Sequence, residues 1–152
     1  MFFYFCLFFF GFVTSVTRAE CPDKWWSLGN YCYHVSQDRS DWGIAQEYCW
    51  NMGGYLAEFD SLVEEQAIDS VLSSDNFYWI GLSDFAHEGT WRWQESHEVV
   101  SYANWLSGQP DNGSGTENCA VKIYPNNGAG KWNDEQCYID TVAYALCQRK
   151  KI

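Results

Sequence analysis

Six cysteines, Cys21, Cys32, Cys49, Cys119, Cys137 and Cys147, set the limits on any fold this chain can adopt. An even set, widely spaced and free of any C-x-x-C pair, suits a disulfide framework in an oxidising compartment and leaves every pairing open. Zinc is disfavoured, because His34, His87 and His97 also lack paired-ligand spacing. The seventh cysteine, Cys6, lies in MFFYFCLFFFGFVTSVTRA, which runs apolar from Phe2 to Val13 and then turns polar. Thr17 and Ala19 stand at the −3 and −1 positions of a cleavage site, so residues 1–19 are expected to be a secretory signal peptide cut before Glu20. The run is too short to cross a bilayer core of about 30 Å, which argues against a membrane anchor or membrane insertion. Residues 20–152 then form one secreted domain, with an aromatic content (nine Trp, nine Tyr and three Phe) that can fill a sizeable core.

Twenty acidic residues face nine Lys and Arg, a net charge of −11, and Arg18 would leave with the leader. Such a balance excludes nucleic acid as a natural partner and disfavours anionic membranes and sulfated polysaccharides. It suits a divalent cation, although solubility explains most of the excess.

No repeat or linker divides the chain after residue 20. Gly29 and Asn30 between aromatic runs predict a hairpin spanning Cys21 to Cys32. Ser40 or Asp41 can cap a first helix in which Trp42, Ala45, Tyr48 and Cys49 share a face, stopped by Gly53 and Gly54. Ser61 and Glu64 form an S-x-x-E box that opens a second helix through Ala67, Ile68, Val71 and Leu72, ending near Ser73 or Ser74. FYWIGL, TWRW, CAVKI and VAYALCQ then read as strands. Two early helices followed by strands predict an α+β fold. The polar segment from Asn104 to Glu117 is too long to be idle in a stapled domain.

That segment carries Gln109, Pro110, Asp111 and Glu117, and Trp132, Asn133 and Asp134 follow it. Two amides and three carboxylates form the hard-oxygen set that Ca²⁺ prefers, and their scatter suggests an ion held in loops.

Together, Trp79-Ile80-Gly81-Leu82, Gln109-Pro110-Asp111, Glu117-Asn118-Cys119, Trp132-Asn133-Asp134 and the cysteine set resemble the C-type lectin family over residues 21 to 148. Within it the chain is most similar to small secreted, single-domain invertebrate members of the perlucin-like kind. The resemblance implies two helices flanking small antiparallel sheets with long calcium-binding loops. It implies the disulfides Cys21–Cys32, Cys49–Cys147 and Cys119–Cys137, and it makes Trp79, Ile80 and Leu82 core residues.

It also implies one principal Ca²⁺ ligated by Gln109, Asp111, Glu117, Asn133 and Asp134, with the same side chains bonding two vicinal sugar hydroxyls. A cis Gln109-Pro110 bond is implied with it. An auxiliary Ca²⁺ would use Asp84 and Glu88 with Asn112, Asn118 and the shared Glu117.

The order Gln-Pro-Asp is similar to that of galactose and N-acetylgalactosamine binders, since an amide donates and accepts hydrogen bonds whereas a carboxylate only accepts. Galactose-type members usually place a stacking Trp after the tripeptide. Gly113 stands there in this chain, so Tyr124 or Trp105 would have to supply the ring. Asn112-Gly113-Ser114 is the chain's N-glycosylation sequon.

The expected function is therefore that of a secreted calcium-dependent lectin in glycan or microbial-surface recognition, of the innate-immunity kind, working as a noncovalent homo-oligomer or on a multivalent surface. Relaxed or mannose-type specificity is the nearest rival. A calcium-stabilised module binding protein or mineral is a second class. An enzyme is disfavoured, because the three histidines lie in no nucleophile or metal motif.

Overall fold

Asp41 begins the first helix by accepting the Ile44 amide at 2.8 Å, a cap of the kind that contributes about 1 kcal/mol. The computed structural model describes residues 20–123, 130–138 and 143–152; the apolar stretch within residues 1–19 and Tyr124 lie outside them. Helix α1 runs Trp42–Asn51 and buries Trp42, Ala45 and Cys49, the face expected from their spacing. Gly53, with φ +77°, ends it by donating to the Trp50 carbonyl at 2.9 Å.

Helix α2, Leu62–Asp69, is shorter than its apolar pattern predicts. The Ser70 hydroxyl bonds back to the Ala67 carbonyl at 2.7 Å, and the Val71 amide tightens onto Ile68. Both compete with the helical ladder and end it before Ser73. At its start Ser61 accepts the Glu64 amide, but the Glu64 carboxylate reaches Asp60 N at 3.2 Å. The expected reciprocal box has thus slipped by one residue.

The strands are β1 Trp26–Leu28, β2 Tyr31–Ser40, β3 Tyr55–Leu56, β4 Phe77–Ser83, β5 Arg92–Trp93, β6 Glu117–Ile123, β7 Lys131–Gln136 and β8 Ala143–Lys150. Gly29 and Asn30 turn β1 into β2 as the sequence predicts. Along the main path the order is β1-β2-β8-β4-β6-β7, with β3 on β8 and β5 on β4. The sheet is mixed, which corrects the expectation of antiparallel sheets: β4 and β8 run parallel, with Trp79 opposite Ala145. Strand β8 pairs antiparallel with β2 on one side and parallel with β4 on the other.

Side chains alternate across β4, as a strand buried on both faces requires. Trp79 enters a cluster with Trp42, Cys49, Leu56 and Ala145 under α1. Tyr78, Ile80 and Leu82 enter the other, with Phe59, Ile68, Trp93 and Trp132 under α2. The indoles of Trp42 and Trp79 donate to the Ile80 and Ser40 carbonyls, both at 2.9 Å, so their burial leaves no orphaned N–H. All three implied disulfides are present. Among the described residues no helix is long and apolar enough to cross a membrane.

Candidate functional site

Strands β6 and β7 pair antiparallel with Ala120 opposite Asp134 and Glu117 opposite Gln136. Asn133 and Asp134 therefore stand on a strand and Glu117 opens another, which corrects the reading of a site made of loops. A pleated, disulfide-tied pair fixes these three backbones before any ligand arrives. The polar segment then folds back onto it. Trp132 donates its amide to the Asn104 carbonyl at 2.9 Å, and Leu106 donates to Trp132 O at 2.8 Å.

Asp134 gathers the tip of that segment. Its two carboxylate oxygens accept the backbone amides of Asp111 at 3.2 Å and Asn112 at 2.7 Å. Asn112 adopts the left-handed conformation, φ +46°, and its side-chain oxygen accepts the Glu117 amide at 3.0 Å. As a result Asp111, Glu117 and Asp134 each present an oxygen within 4.8 Å of the others. The Gln109-Pro110 bond is cis. Gln109 Oε1 is buried without a hydrogen-bond partner, and the Asn133 amide lies 2.6 Å from the Asp134 carbonyl. Buried oxygen acceptors lacking a donor are what a hard cation satisfies.

Electrostatics point the same way. Burial pushes the Glu117 carboxyl above its ordinary value, and Asp134, Glu135 and Asp111 add repulsion that the Gly113 amide partly offsets. Gly113 packs closely as well: a β-carbon there would sit 3.0 Å from both Glu117 oxygens. This close approach gives a physical reason for glycine in place of an aromatic. Trp105 does not replace it freely, because its half-buried ring packs edge-on against Trp91 and Trp132 at 4.8 and 5.6 Å. Tyr124 is outside the described residues.

The second proposed group is only partly assembled. Asp84 is buried, with Oδ2 accepting the Gly89 amide at 2.7 Å and Oδ1 without a partner. Its amide donates to the Asn118 carbonyl at 3.2 Å, which places those two side by side. Glu88 is exposed, and neither it nor Asp84 belongs to the clustered carboxylate triad. Sequence reasoning passed over Glu65 and Lys122, which lie buried behind the site; a lysine inside the apolar run CAVKI was the available signal.

A family model described as the Lectin C-type domain matches residues 38–149. The chain belongs to the C-type lectin family. It is 35% identical over 130 residues to the perlucin-like protein of Mytilus galloprovincialis, covering 83% of this chain and 81% of that one. This C-type lectin domain superposes on the mouse scavenger receptor C-type lectin carbohydrate-recognition domain with a TM-score of 0.78 at 34% identity, covering 88% of this chain and all of the other. The cow CD23 carbohydrate-recognition domain, crystallised in the presence of a GlcNAc2Man3 oligosaccharide, gives 0.80 at 28% identity, with 89% and 99% covered. Against longer vertebrate relatives the lectin chain spans about a third of their length. Carbohydrate binding is the function that family and fold support for the domain.

Proposed function

We propose that this lectin is secreted and binds sugar through calcium, with Gln109, Asp111, Glu117, Asn133 and Asp134 as the principal ligands. The observation that carries the reading is the convergence of three carboxylates within 4.8 Å, with the oxygen of Gln109, two residues before Asp111, buried and unpartnered. Calcium bound there supplies coordination for two vicinal sugar hydroxyls. The same five side chains take the remaining hydroxyl protons and lone pairs, so affinity and orientation depend on one set of atoms.

The donor and acceptor order set by Gln109 and Asp111 supports a galactose or N-acetylgalactosamine preference. Gly113, in place of a stacking ring, favours a more relaxed choice that includes mannose-type sugars. Residues 1–19 are the cleaved leader. Asp84, with its unpartnered buried oxygen, supports an auxiliary Ca²⁺ shared with Glu88, Asn112, Asn118 and Glu117. Single sugar sites bind weakly, so recognition of microbial or self glycans works through noncovalent homo-oligomers or clustered targets.

The test is retention on immobilised galactose and mannose in calcium, followed by chelator. The expected result is retention on galactose at least equal to that on mannose, and release by chelator. Binding indifferent to chelator rejects the calcium site, and stronger retention on mannose rejects the galactose preference alone.

A further inference from the structure

Glu65 lies fully buried on α2 and is not among the residues that line the cation site. One carboxylate oxygen accepts the Trp132 indole N–H at 2.6 Å and pairs with the Lys122 ammonium. The other accepts the Tyr102 hydroxyl at 2.5 Å and the Asn104 amide at 2.9 Å. Lys122 in turn donates to the Gly130 carbonyl at 2.7 Å and lies 2.9 Å from Asp69.

These donors sit on three separate stretches of chain, and each stretch carries ligands. Tyr102 and Asn104 begin the segment that delivers Gln109 and Asp111. Lys122 lies on β6, which Glu117 opens, and Trp132 immediately precedes Asn133 and Asp134 on β7. Lys122 and Trp132 are also register partners across those strands. Gly130 lets the group close up, because a β-carbon there would stand 2.3 Å from the Asp69 carboxylate and 2.9 Å from Lys122 Nζ.

We propose that Glu65 is a positioning residue for the cation site: one buried carboxylate that holds all three ligand-bearing segments at their working separation. The inference rests on the calcium reading above. Hard-cation sites are sensitive to such support, since ligand oxygens must sit at defined distances from one ion while repelling each other without it. A buried ion pair is weak evidence of stabilisation by itself, so its meaning here lies in which segments it joins.

The experiment uses calcium alone, without sugar, titrated calorimetrically into the secreted chain. Variants are Glu65→Gln, Tyr102→Phe and, as a control, Gln148→Leu. Gln148 is as deeply buried and bonds Tyr33, Glu64 and the Glu58 amide, on segments that carry no ligand. Glu65→Gln should weaken calcium binding by about tenfold or more, as loss of outer-shell support typically does. Tyr102→Phe should move affinity in the same direction by less, and Gln148→Leu should lower Tm while leaving calcium affinity within about twofold of wild type.

A Glu65→Gln protein that loses Tm but keeps wild-type affinity overturns the proposal. If that variant does not fold, unchanged affinity in Tyr102→Phe overturns it instead. Equal loss of affinity in Gln148→Leu also overturns it, by showing general destabilisation. A wild-type chain that takes up no calcium removes the underlying reading and the proposal with it.

Discussion

Gly113 lies so close over Glu117 that a β-carbon on it would stand 3.0 Å from each carboxylate oxygen. Restoring an aromatic there to improve galactose selectivity should therefore fail. Gly113→Trp must displace Glu117, and its expected effect is a loss of calcium affinity of about tenfold with no gain in galactose retention. Calcium titration calorimetry and column retention measure the two parts separately.

Exchanging Gln109→Glu together with Asp111→Asn reverses which neighbour donates and which only accepts. The Gly113 amide contact to Asp111 Oδ1, at 3.2 Å, survives the change because an asparagine oxygen still accepts. Retention should shift from galactose towards mannose with Tm little altered. An unaltered preference in the column assay would assign the choice to the loop's shape.

The pH response should change sign with calcium. Without the ion, the raised Glu117 carboxyl favours its neutral form in the folded state, because burial and then the Asp134, Glu135 and Asp111 charges penalise ionisation. Its contribution to stability is complete below the ordinary value of 4.5 and is lost as pH rises through the raised value. Glu58 and Glu64, also raised chiefly by burial, act in the same sense. Thermal scans in chelator should thus show these groups adding stability as pH falls through the window just above 4.5. In saturating calcium Tm should fall over that window, since protons displace the ion from its ligands. Glu117→Gln should flatten the difference between the two curves.

Cys49 and Cys147 are 98 residues apart, whereas Cys21 and Cys32 are separated by 11. Chain-entropy arguments assign about 4–5 kcal/mol to the long crosslink and about 3 kcal/mol to the short one. Paired Cys→Ala changes should lower the urea midpoint in that order. The difference should be widened because both Cys49 and Cys147 are fully buried in the cluster beneath α1, whereas of the shorter pair only Cys32 is.

Much of the fold was legible from local chemistry. Asp41, Gly29 with Asn30, and Gly53 act within a few residues of themselves, so their caps and turns fall where the sequence places them. Helix α2 was overestimated because Val71 and Leu72 continue the apolar period, while the Ser70 hydroxyl that ends the helix acts through a side-chain bond that periodicity ignores. The polar second half of β2, residues 36–40, carried no strand signal; its pairing with Tyr144 and Ala143 comes from β8.

The sequence by itself determined the donor set, an oxygen-rich group suited to calcium, together with the cysteine framework and the α+β class, because residue type and short spacing suffice for these. Only the tertiary structure decided that Asn133 and Asp134 ride on a strand, that Asp134 gathers the Asp111 and Asn112 amides, and that Glu65 joins the three segments behind them. Those relations depend on strand register and on burial far from water. Both arise from contacts between residues distant in the chain, whose local sequence carries no record of which partner will face them.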